Sequence, residues 1–429
     1  MVYPPPIHLD LERHRLDNGL EVVLHRDRTL PLVAVNIWYH VGSKNEEPGH
    51  TGLAHLFEHL LFQGSQHVGT NDHFRYVQQA GGIANGSTWF DRTNYYEILP
   101  AECLDLALWL ESDRMGFFLP AITQAKLDNQ REVVINERRQ KIDNQPYGGA
   151  FERLQELVYP PGHPYRHPVI GHVDDLAVAT LEDVCGFFRS FYVPNNAVLT
   201  LAGDIDYDDA LRRIEHYFGD LPRGEPVLRP TMPSASPQTG GDERREILTD
   251  QVQLPRIYMA FCGPGYGTRG WYAADLLATA LSDGRSSVMY EDLIYRRQLA
   301  QDVGCFVLPT EEMATIAVIA TGRPGTDPEA LESALREHLE RVANQPLAAD
   351  RIEGARNRLL TAHYSQLQSL ERRADLLSHF TTFFDDPARV ADEVSAYQQL
   401  RAEELVAFAA QHCGSRQRAV VIVVPEKAP

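Results

Sequence analysis

The stretch Gly52-Leu-Ala-His55-Leu-Phe-Glu58-His59-Leu-Leu-Phe-Gln-Gly64 decides how the rest of the chain is interpreted. Its leucines and first phenylalanine recur at steps of three and four residues, which predicts an amphipathic helix. His55 and His59 are four residues apart, so both imidazoles lie on the same face of that helix. Two imidazoles one turn apart can bind one metal ion, and zinc takes such nitrogen ligands at about 2 Å.

Glu58 lies on the same side of the predicted helix, one residue from His59 and three from His55. The order H-x-x-E-H is the reverse of the metallopeptidase motif H-E-x-x-H, in which the glutamate is a base rather than a ligand. Histidines on an apolar helix are also common in protein cores, with their hydrogen bonds satisfied. The five residues therefore give a zinc-site hypothesis that the rest of the chain has to support.

A third ligand is expected on a later helix, predicted over residues 123–142. Gln130 and Glu137 fall on one line of that helix together with apolar residues. A carboxylate on a core-facing line is costly unless it is paired or binds a metal. Glu137 is the candidate third ligand, and the alternative is a carboxylate at the exposed edge, paired with Arg138 or Lys141.

The composition is that of a globular protein with 429 residues, 43% hydrophobic and 23% charged. It has no apolar run long enough to span a bilayer. Residues 1–6 lack the layout of a signal peptide, so the expected location is the cytoplasm, unless an exported precursor was trimmed. Five scattered cysteines without a C-x-x-C pair argue against both a disulfide framework and a cysteine–zinc site.

The formal net charge of −19 bears on the class of partner. It disfavours nucleic acid and anionic membranes, because both would be repelled. It is compatible with basic peptide substrates, although an acidic, solvated surface is the simpler explanation.

The chain is predicted to contain two similar halves, residues 1–221 and 243–429, joined by a linker over 222–242 that is rich in proline and lacks periodicity. In both halves a Leu-Pro pair opens an apolar strand that leads towards an apolar helix. Strands and helices come in blocks, so each half is predicted to be α+β, a mainly antiparallel sheet covered by helices. In the second half, one long helix is predicted over 349–380.

If the glycines that end the two apolar helices are matched, Asp275 takes the place of His55. Ala278 and Thr279 then take the places of Glu58 and His59. The second half is therefore predicted to be a duplicate that lacks a metal site.

With these residues in place, the sequence resembles the pitrilysin-type zinc metallopeptidases, the family of the mitochondrial processing peptidase and the insulin-degrading enzyme. The segment Asn85-Gly-Ser-Thr88-Trp-Phe-Asp91-Arg-Thr93-Asn-Tyr95 matches the family pattern N-A-x-T-x-x-D-x-T-x-Y. Arg131-Glu-Val-Val-Ile-Asn-Glu137 matches its R-x-V-x-x-x-E helix. The length and the repeated halves are those of the short-chain members, which form two-subunit clamshells.

The resemblance implies a zinc endopeptidase in which His55, His59 and Glu137 bind Zn²⁺ and Glu58 is the general base for a zinc-bound water. It also implies that a peptide substrate adds as an extra strand to an edge strand over Ile83–Thr88. The substrate-binding residues expected on that strand are Ala84, Asn85, Gly86 and Thr88, with Asn85 as the main polar contact.

Two positions depart from the family pattern. Gln130 stands where many members have a second glutamate, so it is expected to hydrogen-bond a metal ligand but not to act as a base. Ile294 and Gln301 stand where active members carry an arginine and a tyrosine that bind the substrate. The expected assembly is therefore a heterodimer in which a homologous subunit supplies the arginine and the tyrosine.

Two other functions remain as alternatives. The first is a non-catalytic structural or assembly subunit with the same fold, and the intact polar set of His55, Glu58, His59 and Glu137 argues against it. The second is a small-molecule metallohydrolase. The full-length repeat and the segment resembling a substrate strand argue against that class.

Overall fold

The computed structural model describes residues 7–230, 232–233, 243–414 and 418–426. The predictions about residues 1–6, and those about the linker at 231 and 234–242, lie outside the described residues. The chain forms two compact units, and neither of them is a continuous stretch of sequence. Unit 1 contains residues up to 137, 168–230 and 364–393, and unit 2 contains 138–167, 231–363 and 394 onwards.

The first half of the chain begins with a β-hairpin, whose two strands are joined by a turn at Asp17-Asn18-Gly19. In chain order the elements are β1 (Leu11–Arg15), β2 (Glu21–Arg26), β3 (Leu32–Tyr39), α1 (Leu53–Leu61), α2 (Asp72–Gln79), β4 (Ile83–Thr88), β5 (Thr93–Pro100), α3 (Leu104–Phe117), α4 (Gln124–Arg138), α5 (Ala150–Val158), α6 (Val173–Val178), α7 (Leu181–Phe191), β6 (Ala197–Gly203) and α8 (Tyr207–Phe218). A π-helical turn, Arg139–Asp143, follows α4 directly.

The elements of the second half begin after the linker. They are β7 (Arg244–Asp250), β8 (Arg256–Pro264), α9 (Arg269–Ser282), β9 (Ala300–Val307), β10 (Met313–Gly322), α10 (Pro328–Asn344), α11 (Ala349–Gln366), α12 (Leu370–Phe384), α13 (Glu393–Gln398), α14 (Ala402–His412) and β11 (Ala419–Pro425). A π-helical segment, Tyr290–Arg296, lies between α9 and β9.

Within the described residues, six strands form the sheet of unit 1 in the order β1-β2-β6-β3-β5-β4. β2 and β6 are parallel, and the other neighbours are antiparallel. One face of this sheet packs against the apolar side of α1, with Leu56, Phe57 and Leu60 fully buried. The sheet and its core therefore fix the orientation of the helix that carries His55, Glu58 and His59.

The sheet of unit 2 repeats this topology. Its order in the described residues is β7-β11-β8-β10-β9, which corresponds to β2-β6-β3-β5-β4 in unit 1. The parallel pair is again at the same place, between β7 and β11, and the other pairs are antiparallel. The predicted α+β class with two homologous sheets is confirmed.

The two halves of the sequence exchange one segment each. α12 comes from the second half but packs on the sheet of unit 1, where Asp375 accepts a hydrogen bond from Trp38 Nε1 at 2.9 Å. α5 comes from the first half but packs on the sheet of unit 2, where Arg153 pairs with Glu246 at 2.6 Å. The compact units therefore differ from the predicted halves. The domain boundary over residues 222–242 stays a prediction.

The predicted single helix over residues 349–380 is wrong, because the chain forms α11 and α12 with a break between them. Ser369 begins α12 by accepting a hydrogen bond from the backbone N–H of Arg372 at 3.4 Å. The break lies close to the point where the chain passes from unit 2 to unit 1, between His363 and Tyr364. The helical periodicity continues across this point, so the sequence did not reveal the change of unit.

Asp275, which takes the place of His55 in the repeat, lies on α9 and is largely buried. Its carboxylate accepts a hydrogen bond from Tyr397 Oη at 2.7 Å. Burial raises the pKa of Asp275 to about 6, and this hydrogen bond opposes the shift only in part. At the position that the sequence match pairs with His55, the second half therefore holds a carboxyl group whose ionised form is unfavourable.

We expect Asp275→Asn to stabilise the metal-free protein at pH 7.5 by about 2 kcal/mol and to have little effect at pH 4. The folded-state pKa lies above the unfolded-state value of about 3.9, so wild-type stability falls as the pH rises from about 4 to about 6. Asparagine can still accept the hydrogen bond from Tyr397. Thermal melts at the two pH values measure the effect, and exposed Asp283→Asn is the control. Equal effects of Asp275→Asn at both pH values would contradict this account.

Candidate metal centre

The first turn of α1 is fixed by side chains from the preceding loop. Glu46 accepts hydrogen bonds from the backbone N–H groups of Gly52 at 2.8 Å and Ala54 at 2.7 Å. A carboxylate at a helix N-terminus satisfies free donors and interacts favourably with the helix dipole. Gly52 has a φ of 86°, and a Cβ there would lie 2.5 Å from the carbonyl oxygen of Ile170. The entry into α1 therefore requires both a glycine and the Glu46 carboxylate.

The third candidate ligand comes from α4, which docks against the same core as α1. Leu127 and Val134 of α4 are fully buried in the core of unit 1. Arg131 Nη2 donates a hydrogen bond to the carbonyl oxygen of Ala179 at 2.6 Å. These contacts present Glu137, at the last turn of α4, to the histidine face of α1.

The structure brings His55, His59 and Glu137 together. The distance from Glu137 Oε2 is 3.8 Å to His55 Nε2 and 3.2 Å to His59 Nε2. The three candidate ligand atoms all lie within 4.8 Å of one another. This placement favours Glu137 as a ligand over the alternative of a pairing with Arg138 or Lys141 at the exposed edge of the helix.

The donor set fits zinc. Two imidazole nitrogens and one carboxylate oxygen form a common set of protein ligands in catalytic zinc sites, which leave a fourth position open. Ligand atoms of a tetrahedral site with bonds of about 2.0–2.2 Å lie roughly 3.3 Å apart. The separations between Glu137 Oε2 and the two imidazoles are close to that value.

The Glu58 carboxylate is hydrogen-bonded to the neighbouring strand, β4. Its Oε2 accepts a hydrogen bond from Thr88 Oγ1 at 2.6 Å. Burial raises the pKa of Glu58 above its ordinary value, and the hydrogen bond from Thr88 and the nearby His59 and Arg92 oppose that shift. The sequence did not predict the contact with Thr88, which was expected to bind substrate.

The strand predicted for substrate binding has the predicted bounds, Ile83–Thr88. As β4 it ends the sheet of unit 1 and pairs on one side with β5, with Asn85 opposite Tyr96. Ile83 is 60% exposed, and the Asn85 side chain is exposed as well. An edge strand in this position has backbone groups that an added strand can pair with. The substrate roles of Ala84, Asn85, Gly86 and Thr88 stay predictions.

Gln130 is buried, and among the described residues its side chain does not make the expected hydrogen bond to a candidate metal ligand. Its side-chain amide donates a hydrogen bond to Asn129 Oδ1 at 2.9 Å. Ile294 lies in the π-helical segment and Gln301 on β9. Arg296, two residues after Ile294, pairs with Glu291. That a second subunit supplies the substrate-binding arginine and tyrosine stays a prediction.

A second group of ionisable side chains lies in unit 1, where His73, Glu97 and Glu111 are fully buried. His73 Nε2 lies 2.9 Å from Glu97 Oε1. Arg114 pairs with Glu111 and lies 3.7 Å from Glu97, so one guanidinium group already faces both carboxylates. Burial lowers the pKa of His73 to about 3. We interpret this group as a structural network, which sequence spacing did not reveal because its members come from three elements.

Comparison with known proteins assigns the family. The sequence profile of the insulinase family (peptidase family M16) matches residues 21–164, and that of the peptidase M16 inactive domain matches residues 179–359. The chain belongs to peptidase family M16. The predicted resemblance to pitrilysin-type metallopeptidases is thereby confirmed.

Among M16 relatives, the zinc protease PqqE of Helicobacter pylori is 26% identical over 413 residues, which cover 96% of this chain and 92% of the relative. The crystal structure of a protease from Helicobacter pylori has a TM-score of 0.91 at 26% identity and covers 97% of this chain and 100% of that one. An M16 inactive-domain structure from Pseudomonas fluorescens has a TM-score of 0.86 at 17% identity, with 98% and 99% covered. The last likeness shows the fold alone.

In the part of the chain that the structure describes, no helix combines the length and the apolar composition that a membrane span requires.

We expect Glu46→Ala to lower the free energy of unfolding by about 1–2 kcal/mol, because two N–H groups of α1 lose their acceptor. Glu47→Ala is the matched control, since the neighbouring Glu47 side chain is exposed. Urea denaturation of the metal-free protein measures both variants. Equal destabilisation by the two substitutions would show that the capping contact does not stabilise α1.

Proposed function

We propose that the protein is the zinc-binding subunit of an endopeptidase that hydrolyses unfolded peptides or oligopeptides. The observation that carries this proposal is the convergence of His55, His59 and Glu137 beside Glu58. The family assignment and the relatives named as zinc proteases support the same class of reaction.

His55, His59 and Glu137 would hold the metal, with the fourth position left open. When bound, zinc supplies a Lewis acid that polarises the scissile carbonyl group and acidifies water. Glu58 acts as the general base, and it later passes the proton to the leaving amine. Its Oε2 is held by Thr88, so Oε1 is the oxygen that exchanges the proton.

The peptide binds as an additional strand along the free edge of β4. Main-chain hydrogen bonds give this mode its affinity, so the preference for particular substrate side chains is loose. Asn85 is exposed on β4 and provides the main polar side-chain contact. The bound peptide then lies next to the strand that contacts Glu58.

A homologous second subunit completes the substrate site. Ile294 and Gln301 offer neither a guanidinium group nor a phenol at the two positions where an arginine and a tyrosine are expected. The absence of an arginine and a tyrosine at these two positions also favours the second candidate function, a structural subunit without turnover. The intact set of metal ligands and base is the reason to prefer the catalytic subunit.

We expect Glu58→Gln to bind one zinc ion per chain, as the wild type does, and to lower kcat by at least about 100-fold, because the base is lost while the ligands remain. Elemental analysis and cleavage of a fluorogenic peptide measure the two quantities. Glu132→Gln, an exposed glutamate on α4, is the control. Loss of zinc from Glu58→Gln would mean that Glu58 is a ligand and not the base.

We expect the purified single chain to cleave peptides weakly and to gain at least about 10-fold in kcat/KM when combined with an equimolar homologue that copurifies from the native host. The reason is that a missing charged group that acts on the substrate costs about 1.4 kcal/mol or more in transition-state binding. Identification of that homologue should reveal the arginine and tyrosine. Full activity of the single chain, unchanged by any partner, would refute the two-subunit proposal.

A further inference from the structure

The side chain of Glu58 is held in place by β4 rather than by its own helix. Thr88 Oγ1 donates a hydrogen bond to Glu58 Oε2 at 2.6 Å. Gly86 lies two residues earlier on the strand, so it presents the same face to α1 as Thr88 does. A Cβ at Gly86 would lie 3.2 Å from Glu58 Cγ. The stem and the carboxylate of Glu58 therefore both contact one strand.

Thr88 itself belongs to a tightly bonded end of the β4–β5 pair. Arg92 Nη1 donates hydrogen bonds to the carbonyl oxygen of Ser87 at 2.8 Å and to Asn94 Oδ1 at 3.0 Å. Ser87 Oγ donates to the same Asn94 oxygen at 2.6 Å. The hydroxyl of Thr88 is therefore presented by a backbone that is fixed on both sides of the turn.

Thr93 is the residue opposite Thr88 in the strand register, and its hydroxyl has a different task. Thr93 Oγ1 donates to the carbonyl oxygen of Val41 at 2.9 Å and is fully buried. The pair thus contains one threonine that bonds to the base and one that bonds to the backbone of the loop that follows β3. This difference supplies a matched control.

A glutamate has three side-chain torsions, so a base on a helix samples several positions unless another group holds its carboxylate. A hydrogen bond to a charged acceptor is about twice as strong as one between neutral groups. Catalytic rates are sensitive to placement, and a displacement of about 1 Å can cost roughly 100-fold. A hydroxyl at 2.6 Å therefore restricts Glu58 to one orientation.

We propose that Thr88 is a positioning residue for Glu58, which rests on the proposed function of Glu58 as the base. In this role Thr88 does not bind the substrate side chain, although it lies on the substrate strand. β4 then takes part in both substrate binding and catalysis, because the strand that receives the peptide on its free edge also orients the base. The two functions can be tested separately, because substrate affinity depends on the backbone edge of β4 and base orientation depends on the Thr88 hydroxyl.

The test compares Thr88→Val, Thr88→Ser and Thr93→Val in the zinc-loaded full chain, together with any partner that copurifies with it. Valine preserves the shape of threonine and removes the donor, whereas serine keeps the donor. We expect Thr88→Val to lower kcat by about 10-fold or more at unchanged KM and zinc content. The kcat of Thr88→Ser should lie within about 3-fold of the wild-type value. Thr93→Val should lower the melting temperature and leave kcat nearly unchanged.

A crystal structure of each variant gives a readout that does not depend on turnover. The Glu58 carboxylate should leave its position in Thr88→Val and keep it in Thr88→Ser. An unchanged Glu58 rotamer and kcat in Thr88→Val would overturn the proposal, and so would a raised KM at constant kcat, which indicates a substrate contact. If wild type and Glu58→Gln are equally inactive, the proposed function fails, and the rotamer in the crystal still decides the role of Thr88.

Discussion

The meeting of two carboxylates and two imidazoles in one largely desolvated place is the constraint on which the rest of the structure depends. Burial raises the pKa of Glu58, and the nearby charge of Glu137 adds to that effect. Such a group of side chains is unfavourable without a cation to balance it. A divalent ion held by His55, His59 and Glu137 would provide that charge. The docking of α1 and α4 against one core places these groups together.

The two sheets share one topology, but among the described residues the groups that could hold a metal ion all lie in unit 1. The five strands of the second sheet have the same order and the same parallel pair as their counterparts in the first. In unit 2 the position matched to His55 is taken by Asp275, whose hydroxyl partner Tyr397 comes from α13. Each sheet is also covered by a helix from the other half of the sequence. The packing of unit 1 therefore includes residues far along the chain, such as Asp375, which accepts a hydrogen bond from Trp38.

The local pattern of the sequence predicted the parts that depend on periodicity and spacing. It gave the helix of His55 and His59, the bounds of β4, and Glu137 as the carboxylate that approaches them. It also predicted the α+β class and the repeat, because apolar strands and helices recur in the same order. These features are set by residues close together in the sequence, or by the family motifs.

Features that depend on packing between distant segments were not predictable in this way. Glu46 is one example, because only the fold brings its carboxylate to the start of α1. Thr88 was assigned to the substrate because a strand pattern does not reveal which face meets α1. The break before α12 was missed because amphipathic periodicity persists where the chain changes unit.

The most direct test of the central claim is anomalous diffraction at the zinc absorption edge from crystals of the full chain grown with zinc. The account predicts one strong peak at bonding distance, about 2.0–2.2 Å, from His55 Nε2, His59 Nε2 and a Glu137 carboxylate oxygen. A structure with no peak among these three side chains, or with Glu137 turned away from a zinc ion bound elsewhere, would contradict it.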